Sequence, residues 1–172
     1  MLIEKDCLNF LGIRGDSIKA SRLFLGQELE EQVKLLGEHF NCDYQRYKAI
    51  TGDSDFSPLS LDSNDLRFKY LYLDPARFGF KEPERTNYDQ FESFDQAYHQ
   101  LVHEFTEIQI ASLKQAIGNT QIKTINIDGG FSSNQVFVKM LTKKLSGYNV
   151  HSKQSENGSA LGAAMLISEK YK

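Results

Sequence analysis

The sequence lacks several features that would assign it to a well-defined class of protein. Its two cysteines, Cys7 and Cys42, do not have the spacing of a metal or redox motif, so we expect free thiols and a reducing, cytoplasmic compartment. The net charge is −3 and no long basic run occurs, which gives no reason to expect a nucleic acid partner. No apolar stretch is long enough to span a membrane and no signal peptide begins at Met1, so no membrane association is expected.

Aromatic residues are unevenly distributed along the chain. Tryptophan is absent, whereas the chain has 12 Phe and 8 Tyr residues, many of them between Tyr70 and Phe105. We expect this region to bury aromatic surface in its own core or against another protein, and any aromatic face left exposed would favour self-association. Hydrophobic residues make up 40% and charged residues 25% of the 172 residues, which indicates one globular domain over residues 1–172.

The first two thirds of the chain contain two segments with helical periodicity. Leucine and valine recur every three or four residues, which predicts a helix that begins at Ser21 and ends between Gly37 and Asn41. A second and longer apolar face predicts a helix over residues 88–117. Gly118 follows it directly and is a suitable residue at which to end it.

Shorter elements are predicted around these helices. Two glycines in residues 10–17 predict a turn between short extended pieces. Residues 41–64 are polar and rich in Asp, Ser and Gly, which predicts a loop or a variable insertion. Alternation of side chains over residues 68–73 predicts a short strand, and Asp74-Pro75 ends it.

The last fifty residues alternate between strand and helix patterns. Residues 122–127 read as a strand, a helix begins near Asn134, residues 148–152 read as a second strand, and residues 156–170 read as a final helix. This order predicts a mostly parallel sheet. Ligands on such sheets bind beyond the carboxyl ends of the strands, where Asp128-Gly129-Gly130 follows the first strand.

The glycine turn, which we define as residues 128–134, has two interpretations. Two glycines let backbone N–H groups approach a ligand, the next helix N-terminus suits a phosphate, and the Asn134 amide suits an adenine edge or a ribose. Alternatively, Gly-Gly is an ordinary turn and Asn134 only caps its helix. Ser132 and Ser133 leave the same choice between phosphate and cap open. The turn is neither a Walker A loop nor the G-x-G-x-x-G fingerprint.

The stretch from "INIDGGFSSN" to "SALGAAMLI" resembles the C-terminal domain of the FGGY family of carbohydrate kinases. Its Gly129, Gly130 and Asn134 match the Gly-Gly-Gly/Ala-x-x-Asn turn of that family, and residues 160–164 match its Ala-x-Gly-Ala-Ala helix near the chain end. The resemblance departs from the family at Phe131, which replaces the third glycine or alanine, and at Asn157, where the family usually has Glu.

A second segment, "RLFLGQELEEQ", is similar to the helix start that lines the adenine side of the family's pocket. The resemblance implies that Gly26 borders the base and that Glu30, where some relatives have Gln, lies one turn further on. It also implies that Gly129 and Gly130 face the α-phosphate and ribose, and that Asn134 faces the adenine.

The resemblance implies an α/β fold of the actin-like ATPase (ribonuclease H-like) type, a mixed sheet flanked by helices. It implies the nucleotide-side half of an enzyme that uses ATP and Mg2+ to phosphorylate a hydroxyl of a ketose or polyol. No segment matches the family's catalytic aspartate, so we expect catalytic residues and most of the sugar site in an N-terminal domain that this sequence lacks. The chain alone is expected to bind nucleotide weakly and to be inactive. The alternative is a stand-alone actin-like module that binds nucleotide or protein without catalysis.

One pair of histidines suggests a different site. His99 and His103 lie four residues apart on the predicted long helix, with Glu104 and Glu107 nearby, so the two imidazoles share a face that suits a metal. The order is not His-Glu-x-x-His and no third ligand is evident, so we expect a solvated helix face and no metal.

Overall fold

The computed structural model describes residues 7–11, 15, 17–52, 59, 64–152 and 164. Short 3-10 helices cover Tyr44–Ala49, Pro75–Phe78, Tyr88–Gln90 and Gly130–Ser133. The predicted final helix and Asn157 lie almost entirely outside the described residues. The strands and α-helices are β1 (Cys7–Leu11), β2 (Ser17–Ser21), α1 (Leu25–His39), α2 (Phe94–Ile117), β3 (Thr124–Ile127), α3 (Gln135–Lys144) and β4 (Asn149–Ser152).

The described strands form two small sheets. β1 and β2 make an antiparallel hairpin, so the extended pieces expected before residue 21 are confirmed. β3 and β4 are parallel, with Ile125 opposite Val150, and α3 connects them. The chain is therefore a mixed α/β protein with a small parallel sheet, as the order of the last elements predicts.

The helices begin later than the periodicity predicts. α1 begins at Leu25 because the residues just before it, up to Ser21, belong to β2. α2 begins at Phe94 because Ser93 caps it, its side-chain oxygen accepting a hydrogen bond from the Gln96 N–H at 3.2 Å. Both helices end as expected, α1 at His39 and α2 directly before Gly118, whose φ is +53°.

The core is built around α2, which contacts α1, α3 and β2. Its aromatic face is buried rather than exposed, and each buried large side chain contributes about 2 kcal/mol through removal of apolar surface from water. The exposed aromatic side chains of the described part lie elsewhere, at Phe24 (53% exposed) and Tyr72 (50%). The buried aromatic residues in and just before α2 are Phe91, Phe94, Tyr98 and Phe105.

The prediction of a strand over residues 68–73 is wrong. The alternation is real, because Phe68 and Tyr70 are buried while Lys69 and Leu71 are exposed. The backbone is nevertheless irregular, and the nearest strand-like pairing is a single bridge outside it, between residues 65 and 81. We call residues 64–82 the anchored loop.

Two glutamates from the helices replace the missing strand partner. The Glu104 carboxylate of α2 accepts hydrogen bonds from the N–H groups of Arg67 (2.9 Å) and Phe68 (3.3 Å). The Glu28 carboxylate of α1 accepts from three consecutive N–H groups, residues 71–73, at 2.6 to 3.3 Å. Because these donors are bound to carboxylates, the segment does not need a neighbouring strand.

Candidate functional site

A cavity of about 920 Å³ lies where β2 runs into α1. Its other walls are the C-terminal half of α2, β3 and the glycine turn. The cavity therefore borders the carboxyl end of β3, where the sequence predicts a ligand. The apolar side chains on its walls include Ile18, Leu113, Ile117, Ile122, Ile125 and Leu141.

Three glycines predicted to face a nucleotide line this one cavity, although Gly26 is far in sequence from Gly129 and Gly130. Gly26 lies in the first turn of α1, and Gly129 and Gly130 lie on the glycine turn. A Cβ atom added to any of the three would have no heavy atom within 4 Å. The backbone at these positions is thus open to whatever enters the cavity.

Gly129 and Gly130 differ in what their backbone requires. Gly129 has φ +83° and ψ −177°, a conformation available almost only to glycine. Its N–H donates a hydrogen bond to Oδ1 of Asp128 at 2.8 Å, which stabilises this conformation locally. Gly130 begins the 3-10 turn and does not have a positive φ, so a side chain there would not strain the backbone.

The serines of the glycine turn close the turn itself. The Ser132 hydroxyl donates to the Gly129 carbonyl oxygen, and the Ser133 hydroxyl donates to the Gly130 carbonyl oxygen, both at 2.7 Å. The Ser152 hydroxyl of β4 donates to the Ser132 carbonyl oxygen at 3.0 Å. The hydroxyls bind carbonyls of the turn instead of the amides of the next helix, so the capping role expected for the serines is wrong. Their contact with phosphate stays a prediction.

Asn134 caps α3. Its side-chain oxygen accepts the Phe137 N–H at 3.1 Å, and its side-chain nitrogen donates to the Tyr98 hydroxyl at 3.0 Å. It does not line the cavity. The ordinary capping role is thus present, while the predicted contact with adenine stays a prediction.

Glu30 does not line the cavity either. Its side chain is exposed and lies 3.7 Å from Nζ of Lys34, one turn along α1. The structure thus brings Gly26, Gly129 and Gly130 together, and leaves Glu30 and Asn134 outside the cavity wall.

Phe131, which departs from the family pattern, turns toward the core. Its ring meets the Phe137 ring edge-on, with centroids 4.6 Å apart, and the Phe105 ring at 6.0 Å. It contributes to the inner wall of the cavity. The bulk of this side chain is therefore absorbed by aromatic packing and does not block the glycine backbone.

Positive charge and helix N-terminal N–H donors line part of the cavity. Lys19 and Arg22 both line it; the Lys19 ammonium donates to the Ile117 carbonyl oxygen at 3.2 Å, and the Arg22 guanidinium lies 5.4 Å from the centre of the Phe24 ring. Phe24 is the N-cap residue of α1 and makes no side-chain cap hydrogen bond. The first N–H groups of α1 have no partner within the helix, and residues 25–27 line the cavity.

The sequence analysis missed the roles of Glu28, Tyr98 and Glu104. Glu28 and Glu104 are fully buried, and burial raises the pKa of Glu104 to about 7 despite its hydrogen-bond donors. Burial likewise raises the pKa of Tyr98 to about 12. A signal for Glu28 was present, since it lies between Leu25 and Leu29 on the apolar face of α1.

The histidine pair does not form a solvated face. His99 is buried, and its Nδ1 lies 2.7 Å from the Asp95 carbonyl oxygen, so that expectation is wrong for His99. Burial lowers the pKa of His103, whose Nε2 is 3.9 Å from a Glu107 carboxylate oxygen. Among the residues that the structure describes, no three His, Cys, Asp or Glu side chains are grouped to hold a metal.

Comparisons with known protein families, curated proteins and solved structures find no match to this chain. The FGGY family and the actin-like fold are therefore predictions that rest on the motifs quoted above. In the part of the chain that the structure describes, no helix has the length and apolar character needed to cross a membrane.

Proposed function

We propose that this chain is the ATP-binding half of a carbohydrate kinase, with an actin-like fold. The observation that carries the proposal is the convergence of Gly26 with Gly129 and Gly130 on one cavity. Gly26 belongs to one matched motif and Gly129 and Gly130 belong to another, and each of the three leaves its backbone open. If either motif were only an ordinary turn, there would be no reason for the two motifs to face the same cavity.

The cavity suits a nucleotide in size and chemistry. Its volume of about 920 Å³ lies within the range of small-molecule sites, and its aliphatic walls suit a base and ribose. The N–H groups on the glycine turn suit phosphate oxygens, and Lys19 and Arg22 add positive charge to the cavity wall. Gly26 would border the base, and Gly129 and Gly130 would lie against the ribose and α-phosphate.

Asp128 is the acidic residue on the cavity wall, and its carboxylate already accepts the Gly129 N–H. A single carboxylate fits an ion held mainly by the nucleotide's own phosphates, as Mg2+ commonly is. When bound, Mg2+ would neutralise charge on the phosphates during transfer. The chain's own residues hold the nucleotide in position, and a second domain is required to supply the catalytic carboxylate and the sugar site.

The experiment is titration of the chain with MgADP and MgATP by isothermal calorimetry, on wild type and on two variants that fill the cavity. Gly26→Leu and Gly130→Leu place a side chain in open space without a positive φ to strain it. We expect both variants to fold and to bind MgADP at least about tenfold more weakly, because the added atoms occupy the ligand's space.

Gly147→Leu is the matched control. Gly147 also has open space around an added Cβ, and it does not line the cavity. This variant should bind MgADP as wild type does. Equal weakening by all three leucines, or no saturable binding by wild type, would contradict the proposed site. Sugar-dependent ATP hydrolysis by the chain alone would contradict the need for a second domain.

A further inference from the structure

Both ends of the Asn134 side-chain amide are already bound in this structure. The oxygen accepts the N–H of Phe137 in the first turn of α3, and the nitrogen donates to the hydroxyl of Tyr98 on α2. The backbone of Asn134 also ends the 3-10 turn, its N–H donating to the Phe131 carbonyl oxygen at 3.1 Å. Asn134 thus joins three elements at one residue: α2, α3 and the glycine turn.

Tyr98 holds its end of this contact rigidly. The side chain is 1% exposed, its ring lies parallel to the Phe94 ring with centroids 6.4 Å apart, and the Tyr47 ring lies 5.8 Å away. The position of the hydroxyl is therefore set by the packing of α2. Burial keeps the pKa of this hydroxyl at about 12, so it retains its proton at neutral pH.

The glycine turn is exposed over residues 128–130 and at Ser133, and it is closed mainly by short-range bonds. Asp128 and the two serines bind within the turn, and these bonds keep its shape without relating it to the rest of the protein. A nucleotide held between this turn and Gly26 needs the two walls at a constant separation. The bond from Tyr98 to Asn134 supplies a link from the turn to α2, which also forms a wall of the cavity.

We propose that Tyr98 is a positioning residue for the glycine turn, and that it acts through Asn134. Asn134 then contributes to nucleotide binding by placing Gly129 and Gly130, without touching the base. This inference rests on the proposed function for its ligand, but the effect on the turn is measurable without any ligand.

The test compares Tyr98→Phe with Tyr70→Phe. Each variant deletes one buried hydroxyl with one hydrogen-bonded partner; the Tyr70 hydroxyl, on the anchored loop, donates to Glu104 of α2 at 2.8 Å and not to a residue of the glycine turn. Tyr98→Phe should weaken MgADP binding about five- to tenfold, the loss of one hydrogen bond, at temperatures where both variants are folded. Tyr70→Phe should leave MgADP binding within about twofold of wild type while losing comparable stability.

Amide exchange without nucleotide gives the second readout. In Tyr98→Phe, the N–H groups of residues 132, 134 and 137 should exchange faster, whereas those of α1 should be unchanged. The ratio of the wild-type and variant dissociation constants should stay constant from about pH 6 to 9, because the Tyr98 hydroxyl does not ionise there.

Asn134→Gly removes the same contact from its other end, and if Tyr98→Phe does not fold, Asn134→Gly alone should weaken MgADP binding about five- to tenfold. Glycine is nearly as good an N-cap as asparagine, but it has no amide for Tyr98. Asn134→Gly should match Tyr98→Phe in MgADP affinity, and the double variant should be no weaker than either single variant. Additive losses in the double variant would overturn the inference, since the two residues would then act separately.

The failures of the two proposals are distinguishable. If wild type binds MgADP and Gly130→Leu abolishes binding, but Tyr98→Phe binds as wild type does, the positioning role is wrong and the nucleotide site stands. If wild type does not bind MgADP, the proposed function is wrong. Unchanged exchange at residues 132, 134 and 137 in Tyr98→Phe would still overturn the positioning role.

Discussion

The anchored loop and the glycine turn are both irregular, but they are held in opposite ways. Five backbone N–H groups of the anchored loop donate to Glu28 and Glu104, which lie on two different helices far away in sequence, and one, that of Tyr70, donates to Glu82 within the loop. The glycine turn takes most of its bonds from residues within itself. One segment is shaped by the rest of the fold, and the other is shaped by its own residues.

This difference predicts where each segment is vulnerable. Removing a buried carboxylate leaves several amide donors without partners. Each unpaired donor costs more free energy than an ordinary hydrogen bond contributes to stability. The glycine turn has only single hydrogen bonds to distant residues to lose, one to Ser152 and one to Tyr98. Substitutions of Glu28 or Glu104 should therefore destabilise the whole protein. Substitutions in the glycine turn should act mainly on the conformation of the turn.

The largest effect is expected for Glu104→Ala. It leaves the N–H groups of residues 67 and 68, the Tyr70 hydroxyl and the Gln100 amide without their acceptor in the core. We expect the free energy of unfolding to fall by roughly 4 kcal/mol, measured by urea denaturation. Glu38→Ala, at an exposed position on α1, is the control and should change it by less than about 0.5 kcal/mol.

A change of less than about 1 kcal/mol for Glu104→Ala would break the comparison. It would mean that the anchored loop retains its conformation through its other contacts. The buried carboxylate would then be an accessory to the loop and not its anchor.

The next largest effect is on the pH dependence of stability. Burial raises the pKa of Glu104 from about 4.5 in the unfolded chain to about 7 in the folded protein, so the folded protein binds a proton more tightly. Its contribution to stability is fully present below about pH 4.5 and is lost as the pH rises through about 7. Relative to Glu104→Gln, which cannot titrate, wild type should lose about 3 kcal/mol over this window.

Urea denaturation of both proteins at several pH values measures this difference directly, because other titrating groups are common to the two proteins. A difference that stays constant across the window would show that Glu104 titrates alike in the folded and unfolded chains. If wild type instead gained stability relative to Glu104→Gln as the pH rises, the pKa of Glu104 would be lower in the folded protein than in the unfolded chain. The donors around the carboxylate would then outweigh its burial.

The smallest effect is expected within the glycine turn. Gly129→Ala forces a side chain into φ +83°, and we expect a loss of about 1–2 kcal/mol in the free energy of unfolding. Gly130→Ala, one residue on, has open space and no positive φ, so it should change stability by less than about 0.5 kcal/mol. Equal losses at both positions would mean that the turn depends on distant contacts, as the anchored loop does.

The described elements from β3 to β4 were predicted well because their signals are local. The strand before Gly129, the parallel pairing of β3 with β4 and the start of α3 near Asn134 all follow from periodicity and from turn residues. The prediction of a strand over residues 68–73 was wrong because its signal concerns burial alone. Its alternation reports which side chains are buried, and that pattern does not say what its backbone donors bind.

The candidate site was predicted in part. Gly26, Gly129 and Gly130 were identified from motifs, and they line one cavity. Glu30 was identified by its position in a motif and lies on the exposed side of α1, outside the cavity wall. Tyr98 gave no signal, because an aromatic residue on a helical apolar face is expected in any core.

By itself, the sequence determined the helical faces, the parallel β3–α3–β4 order and the need for glycine at residue 129, because each depends on neighbours along the chain. The tertiary structure decided that Glu28 and Glu104 bind the backbone of the anchored loop, and that Asn134 meets Tyr98. Hydrogen bonds between distant segments depend on where packing brings the helices. Apolar periodicity specifies which face is buried but not which polar atoms meet there.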